Sequence, residues 1–352
     1  MREKTIFKVS TKFKLKMVLE ILDSCKEVIC NSKDVKINAS KIPDLAVKIY
    51  EKIEKGILTP DEFKKSPLHP KSDDEVAINW IFVIDSLNYC FFDPNSKRHW
   101  TVTWKNETHT GYFGLCAAIN KAIDNGINMT DMRTCLELSR EQLDEILLGD
   151  DGSTLPLLQE RYQCLQQSAD ILLKKYKGSF LNCIIEANNS AQKLLLLISE
   201  NFSYFRDESF YNNKKVFIYK RAQILIADIW SSFAGCGYGE FHDIDSLTMF
   251  ADYRVPQVLL YFGVLEYSDN LVENLKKGIL LDHGSLQEVE IRAASIVAVD
   301  QVVFTVKELL SKNNVKKKCN AVMVDTYLWG YRRENAITLE DTPYHKTLNI
   351  FY

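Results

Sequence analysis

The sequence predicts a mainly α-helical fold: one all-helical globular domain with a small β-hairpin inserted. Three observations predict it. Apolar residues recur at helical spacing through several long segments. Proline and glycine, which interrupt helices, number only 8 and 14 among 352 residues. One stretch alone alternates in the manner of paired strands. No low-complexity linker or internal repeat divides the chain. Residues 1–352 are therefore expected to form one domain, with 1–60 as its helical N-terminal part.

Residues 12 to 55 read as helices. KFKLKMVLEILDSCKEVI carries the helical spacing, and IPDLAVKIYEKIEKG repeats it before Gly56. EVAINWIFVIDSLNYCFF, 75 to 92, is too long an apolar run for one strand and reads as a buried helix. HWTVTWKNETHTG, 99 to 111, alternates and pivots on Lys105-Asn106, a hairpin pattern. YFGLCAAINKAIDNGI reads as a helix closed by Gly126. Tyr162 to Tyr176 is a further helix, and so is Ser190 to Glu200, which lacks Gly and Pro. In LTMFADYRVPQVL, Pro256 follows Asp252 by four positions, so no helix runs unbroken through both. Ala251 to Val255 should turn, and a new helix should start near Pro256 and run towards Phe262.

With 46% hydrophobic residues the chain can bury a large core. Charged residues make up 26%, and the net charge is only -3. That balance argues against stable non-specific binding to nucleic acid, which relies on many Lys and Arg neutralising phosphates. The nine cysteines form no CxxC pair, and no signal peptide opens the chain. A reduced cytoplasmic protein is the natural expectation. The basic, partly amphipathic start MREKTIFKVSTKFKLK fits an organelle address less well, because it carries Glu3 and little Arg. No apolar run approaches the ~18 residues that span a bilayer, so no membrane association is expected.

Chemistry concentrates between Lys220 and Tyr267. There a cation and three carboxylates, Asp228, Asp245 and Asp252, lie on segments apolar enough to be largely buried. Unpaired buried charge is costly, so such groups are either paired structurally or kept for chemistry. Asp252 falls beside the expected helix start at Pro256, where the positive helix end favours a negative charge. Lys220 and Asp228, eight residues apart, share a helix face and read plainly as a buried salt bridge. Arg206 and Asp207 read as a surface ion pair near a helix start. Asp85 and Asn88 read as internally satisfied polar spacers. His69, between two prolines, reads as an exposed loop residue. Asp325, Tyr327 and Trp329 follow a run that is strand-like or helical, and read as an aromatic face packed on the core. The six histidines show no HxxxH-type spacing, so no metal is expected. GxGxxG, GxxxxGK[ST] and GxSxG are absent, so no nucleotide cofactor or serine nucleophile is expected either.

Several ordered blocks together resemble the queuosine salvage family, the queuosine 5′-phosphate N-glycosylase/hydrolases. They are INWIFVIDSLNYCFF, HTGYFGLCAAINKAIDNGI, GSFLNCIIEANNSAQKLL, YKRAQILIADIW, DIDSLTMFADYRVPQVL, GVLEYSDNL, EVEIRAASI, VDTYLWGYRREN and PYHKTLNIFY. The resemblance covers roughly residues 60 to 352. It implies a fold akin to helical DNA glycosylases, no cofactor, and a small-molecule substrate. The implied reaction is hydrolysis of queuosine 5′-monophosphate to queuine and ribose 5-phosphate, which feeds queuine back into tRNA modification. By the same resemblance Asp252 is the catalytic aspartate and Phe250 a pocket residue beside the base. His69 is a base-contacting histidine, Asp325 and Tyr327 are the acidic and aromatic residues of the late block, and Lys220 is the lysine of the KRAQ block. The family carries an acidic residue after YLW, where this chain has Gly330.

Such a reaction builds positive charge on the ribose, which a preorganised carboxylate stabilises or captures. Asp252 fits that role by position. A 7-deazapurine lacks N7, so the leaving base must be gripped through bonds that strengthen as it becomes negative. Asp325 would hold the guanine-like edge, His69 polarise or protonate the base, and Phe250 and Tyr327 sandwich it. Lys220, ahead of Arg254, would bind the phosphate. Two other readings compete: a glycosylase acting on polymeric nucleic acid, and a non-catalytic binder of queuine or its nucleotide. The sequence leaves oligomeric state open.

Overall fold

The computed structural model describes residues 19–94 and 99–352. Residues 12–18 of the first expected helix lie outside them. In chain order the helices are α1 (Leu19–Asn31), α2 (Ile42–Glu54), α3 (Glu62–Lys65), α4 (Glu75–Leu87), α5 (Gly111–Asp124), α6 (Met132–Glu137) and α7 (Arg140–Ile146). There follow α8 (Leu158–Lys175), α9 (Leu181–Ala187), α10 (Ala191–Asn201), α11 (Lys220–Ser232), α12 (Val255–Tyr261), α13 (Asp269–Lys276), α14 (Leu286–Lys312) and α15 (Ala321–Glu334). Six short strands pair two by two: β1 (Val35–Ile37) with β6 (Leu265–Tyr267), β2 (Thr101–Trp104) with β3 (Glu107–Thr110), and β4 (Glu208–Tyr211) with β5 (Lys214–Phe217). The protein is mainly α, as the spacing of apolar residues predicts.

The expected hairpin is present. Lys105 and Asn106 take φ of 48° and 66°, the paired left-handed residues of a turn whose twist matches its strands. A second hairpin, β4–β5, turns on Asn212 and Asn213 at φ 48° and 62°. It occupies the region read as a helix start around Arg206 and Asp207. Gly126 closes α5 as expected: at φ 89° its N–H returns to the Ile123 carbonyl, and the Ile127 N–H to that of Ala122. The helix expected over 75–92 stops at Leu87. Two buried guanidiniums take over the carbonyls at its end. Arg221 donates to the carbonyls of Asp85 and Ser86, and Arg161 to those of Leu87, Tyr89 and Cys90. Cys90 then turns away at φ 44°, its N–H bonded to the Tyr352 carbonyl at 2.7 Å.

The organising element is α14. From Glu288 to Val299 every residue is buried, so this half is surrounded on all faces. Helices α1 and α2 pack along it, with α15 and α12 beside them. Its buried polar residues are tethers. Glu290 accepts from the Ser32 hydroxyl, the N–H groups of Lys33, Asp34 and Val35, and the Tyr211 hydroxyl. Those bonds fix the turn between α1 and β1. Two residues on, Arg292 pairs with Asp207 at 2.6 Å and with Glu288 at 3.2 Å, all three fully buried. Asp207 is therefore a core ion-pair partner of Arg292, while Arg206 donates to the carbonyls of Ser199 and Glu200. Asp245 is also placed differently from expectation. It is exposed and pairs with Lys307 at 2.9 Å.

Candidate active site

Helix α11 forms one wall. It begins abruptly because Tyr219 takes φ 51°, which releases Lys220 as the first helical residue. The Lys220 N–H donates to Asp207 at 3.2 Å, and its side chain is buried. No salt bridge joins Lys220 to Asp228. Instead both belong to a larger group of charges. Lys220 senses Asp252 most strongly among its charged neighbours, and Asp325 as well. Asp228 senses Asp85, Asp325 and Lys220. Four carboxyl groups, from α4, α11, the turn before α12, and α15, thus feel or exert a charge on one ammonium.

Each carboxyl is held differently. Asp252 accepts the N–H groups of Arg254 and Val255 at 2.8 Å each through Oδ1, and these are the first free donors of α12. The chain turns at 251–254 and α12 starts with Val255 and Pro256, as the proline predicts. Asp325 is buried in α15, and its Oδ1 accepts the Phe250 N–H at 2.9 Å. Asp85 accepts from Asn88 at 3.2 Å through Oδ1, but its buried Oδ2 has no partner. Asp228 makes no hydrogen bond or ion pair among the described residues, and it keeps only a little exposed surface in a region otherwise closed by protein.

Burial dominates the acid–base behaviour. It pushes Asp325 and Asp228 well above the usual carboxylate range, reinforced by Asp252 for the first and by Asp85 for the second. Asp85 is pushed up to about 7, against the opposing pull of Asn88, Arg221 and Lys220. Burial lowers Lys220, and the charge of Asp252 pulls it back. Protons are therefore held within this group of side chains at neutral pH.

His69 is buried rather than exposed, stacked on Phe63 at 3.8 Å between ring centroids. Its Nδ1 lies 2.7 Å from the Phe63 carbonyl oxygen, which can only accept, so Nδ1 carries the proton. Burial lowers its pKa to about 4, leaving Nε2 bare at neutral pH to accept the Tyr112 hydroxyl at 3.0 Å. His69 is thus no ready proton donor. It orients Tyr112, and Tyr112 in turn senses Asp228 and Asp85. Trp329 meets both Tyr112 and Phe113 edge-on, at 6.3 and 5.6 Å. These rings make an aromatic wall beside the carboxyl groups.

Among the late-block residues, Asp325 and Trp329 lie four apart and share a face of α15. Tyr327, two residues from Asp325, is turned to the other side, towards Tyr331, Glu334 and Glu51. The structure brings Asp252, Phe250, Asp325, Lys220 and, through Tyr112, His69 together, but not Tyr327. Arg254 stands beside Asp252 with its guanidinium 3.9 Å from the Tyr344 ring and Nη1 3.2 Å from Gln257. Arg332, close enough to feel the Arg254 charge, has a buried Nε without a partner. Neither arginine pairs with a carboxylate among the described residues. Tyr112, Trp329 and Arg332 carried no sequence signal as a set, because Tyr112 on α5 lies more than 200 residues before the other two on α15.

Cavities of about 290 and 310 Å³ lie elsewhere, the first beside Trp100 and Asp151, the second bordering His69, Trp80 and Trp104. Neither is lined by the carboxyl groups. Among the described residues no group of three or more His, Cys, Asp or Glu is placed to hold a metal ion, and no helix is long and apolar enough to cross a membrane.

A family model described as queuosine salvage protein matches residues 68–352. The chain belongs to this family. Relatives named queuosine 5′-phosphate N-glycosylase/hydrolase are similar over nearly their whole length. The Bos taurus protein is 40% identical over 333 residues, 94% of this chain and 98% of its own. The Mus musculus protein is 44% identical over 286 residues, covering 81% and 85%. The Sphaerobacter thermophilus protein is 33% identical across 95% of this chain and 98% of its own. In this queuosine salvage protein the matched region includes every residue of the carboxyl group described above.

Proposed function

We propose that this chain hydrolyses the N-glycosidic bond of queuosine 5′-monophosphate, releasing queuine and ribose 5-phosphate. The names of its relatives support the reaction. The observation that carries it is Asp252, locked by two backbone N–H groups through one oxygen while the other is left for a ligand. A carboxylate fixed in advance stabilises an oxocarbenium-like ribose without reorganising at the moment of bond breaking. Lys220 balances its charge and keeps it from repelling the other acids.

The remaining roles are part of the same proposal. Asp325, fastened by the Phe250 N–H, offers its second oxygen to the guanine-like edge, and Phe250 closes the pocket next to it. Trp329 and Tyr112 are better placed than Tyr327 to stack on the base. Arg254 with Arg332 is the better phosphate site than Lys220, because Lys220 lies among carboxylates that repel a phosphate. Helices α1 and α2 pack on α14, which supports treating the chain as one catalytic unit.

The test is incubation of the purified protein with queuosine 5′-monophosphate and with queuosine, with released queuine measured by mass spectrometry. Release from the nucleotide is the expected result. Binding without release would make the chain a carrier and end this reading.

A further inference from the structure

Asp228 and Asp85 are left over by that mechanism. Asp228 has no partner among the described residues, and the Oδ2 of Asp85, a residue 1% exposed, has none either. A buried carboxyl pair without a cation destabilises a fold, and amides of the same shape would serve a purely structural purpose better. The groups facing Asp228 make the deficit clear. Asp85 comes from α4 with Arg221 behind it, Tyr112 and Cys116 from α5, Asp325 from α15, and Lys220 from its own helix. Among the described residues the one ammonium acting on Asp228, Lys220, is shared with Asp252 and Asp325. Arg221 spends its donors on backbone carbonyls. The pair therefore presents an unmet demand for one positive charge.

Helix geometry says where. Asp228 lies two turns beyond Lys220 on the same face of α11, a rise of ~12 Å. If the sugar is bound at the Lys220 and Asp252 end, the far end of the base reaches Asp228. A queuosine-type base carries there an aminomethyl-linked secondary amine, which is cationic at neutral pH.

We propose that Asp228, backed by Asp85, is the receptor for the aliphatic ammonium of the base, and so the residue that sets substrate specificity. This rests on the reading of the substrate given above. Without ligand, burial and the neighbouring Asp85 favour a proton on Asp228. When the ammonium enters, that proton passes to solvent and the Asp228 carboxylate becomes its counter-ion.

Asp228→Asn tests this in two independent ways. In turnover, queuosine 5′-monophosphate is compared with 7-deazaguanosine 5′-monophosphate, which lacks the side-chain amine. The expected result is a fall of about 100-fold in kcat/KM for the first and little change for the second. In calorimetry, queuine is titrated against 7-deazaguanine in buffers of different ionisation enthalpy. The wild type should prefer queuine and release a proton on binding it, and the variant should lose both properties. Its melting temperature should stay level or rise. Equal losses on both nucleotides would place Asp228 at the reacting base and overturn the proposal, as would unchanged preference for queuine. If the wild type binds queuine with proton release yet hydrolyses neither nucleotide, the hydrolase reading falls while the receptor survives.

Discussion

The Nε of Arg292 donates to the Ala251 carbonyl at 2.9 Å, one residue before Asp252. The same guanidinium grips Asp207 through both terminal nitrogens, and Asp207 receives the Lys220 N–H. Arg292 therefore fastens the turn carrying the proposed nucleophilic or stabilising carboxylate to the helix carrying its cation. Lysine has no planar fork and cannot make these contacts together. Arg292→Lys should reduce kcat about 100-fold with a small change in KM, as expected when a group is displaced rather than removed. Arg292→Met strands two buried carboxylates and should cost about 3–5 kcal/mol in urea unfolding. A kcat unchanged by the lysine variant would refute the positioning role.

Asp252→Asn retains an oxygen to accept the N–H groups of Arg254 and Val255, so the turn should survive. Turnover should fall by roughly 10³-fold, the scale on which a preorganised electrostatic partner contributes. Substrate binding by calorimetry should change far less. Loss of folding, seen as a collapsed melting transition, would make the residue structural.

His69 and its pH dependence follow from burial. The folded pKa is about 4, against an ordinary 6.5. Between those values the unfolded chain holds a proton that the folded chain lacks, so the stability present above pH 6.5 is lost as pH falls towards 4. The raised carboxyls Asp85, Asp228 and Asp325 act in the opposite sense, so the comparison must be made against His69→Asn. Relative to that variant, the wild type should lose about 1.4 kcal/mol per unit of pH across the window. Parallel stability curves for the two proteins would contradict it.

Gly330 sits inside α15 with nothing within 4 Å of where a Cβ would stand. Gly330→Ala should therefore raise stability by about 1 kcal/mol through helix propensity alone. A destabilised alanine variant would reveal a close neighbour in solution.

Glu290 is not replaceable by its amide. Five donors converge on its two oxygens, and a glutamine would turn an NH₂ group towards some of them. Glu290→Gln should lose about 2 kcal/mol in chemical unfolding.

Much of the fold was legible because helical periodicity is local. The hairpin at Lys105-Asn106, the stop at Gly126 and the break before Pro256 each follow from two or three neighbouring residues. The end of α4 was not legible, because Arg161 and Arg221, which claim its last carbonyls, come from 70 or more residues away. The β4–β5 hairpin was hidden in the same way: Asp207 looked like half of a local ion pair, and its partner is Arg292 on α14. At the site, residue types near Asp252 drew attention to that turn, where two backbone N–H groups hold the carboxylate. The tautomer of His69, the orphaned oxygen of Asp85 and the outward turn of Tyr327 depend on contacts between distant segments, which spacing does not encode.

The region shared with the family begins at residue 68, yet the Phe63 carbonyl that fixes the His69 proton lies before it. So do α1 and α2, which cover α14, and β1, whose partner β6 follows α12. A shortened chain starting at that boundary would bare an apolar groove along α14 and leave the imidazole free to choose either tautomer. Trimming to the shared region would therefore yield a sticky, mis-set enzyme rather than a minimal one.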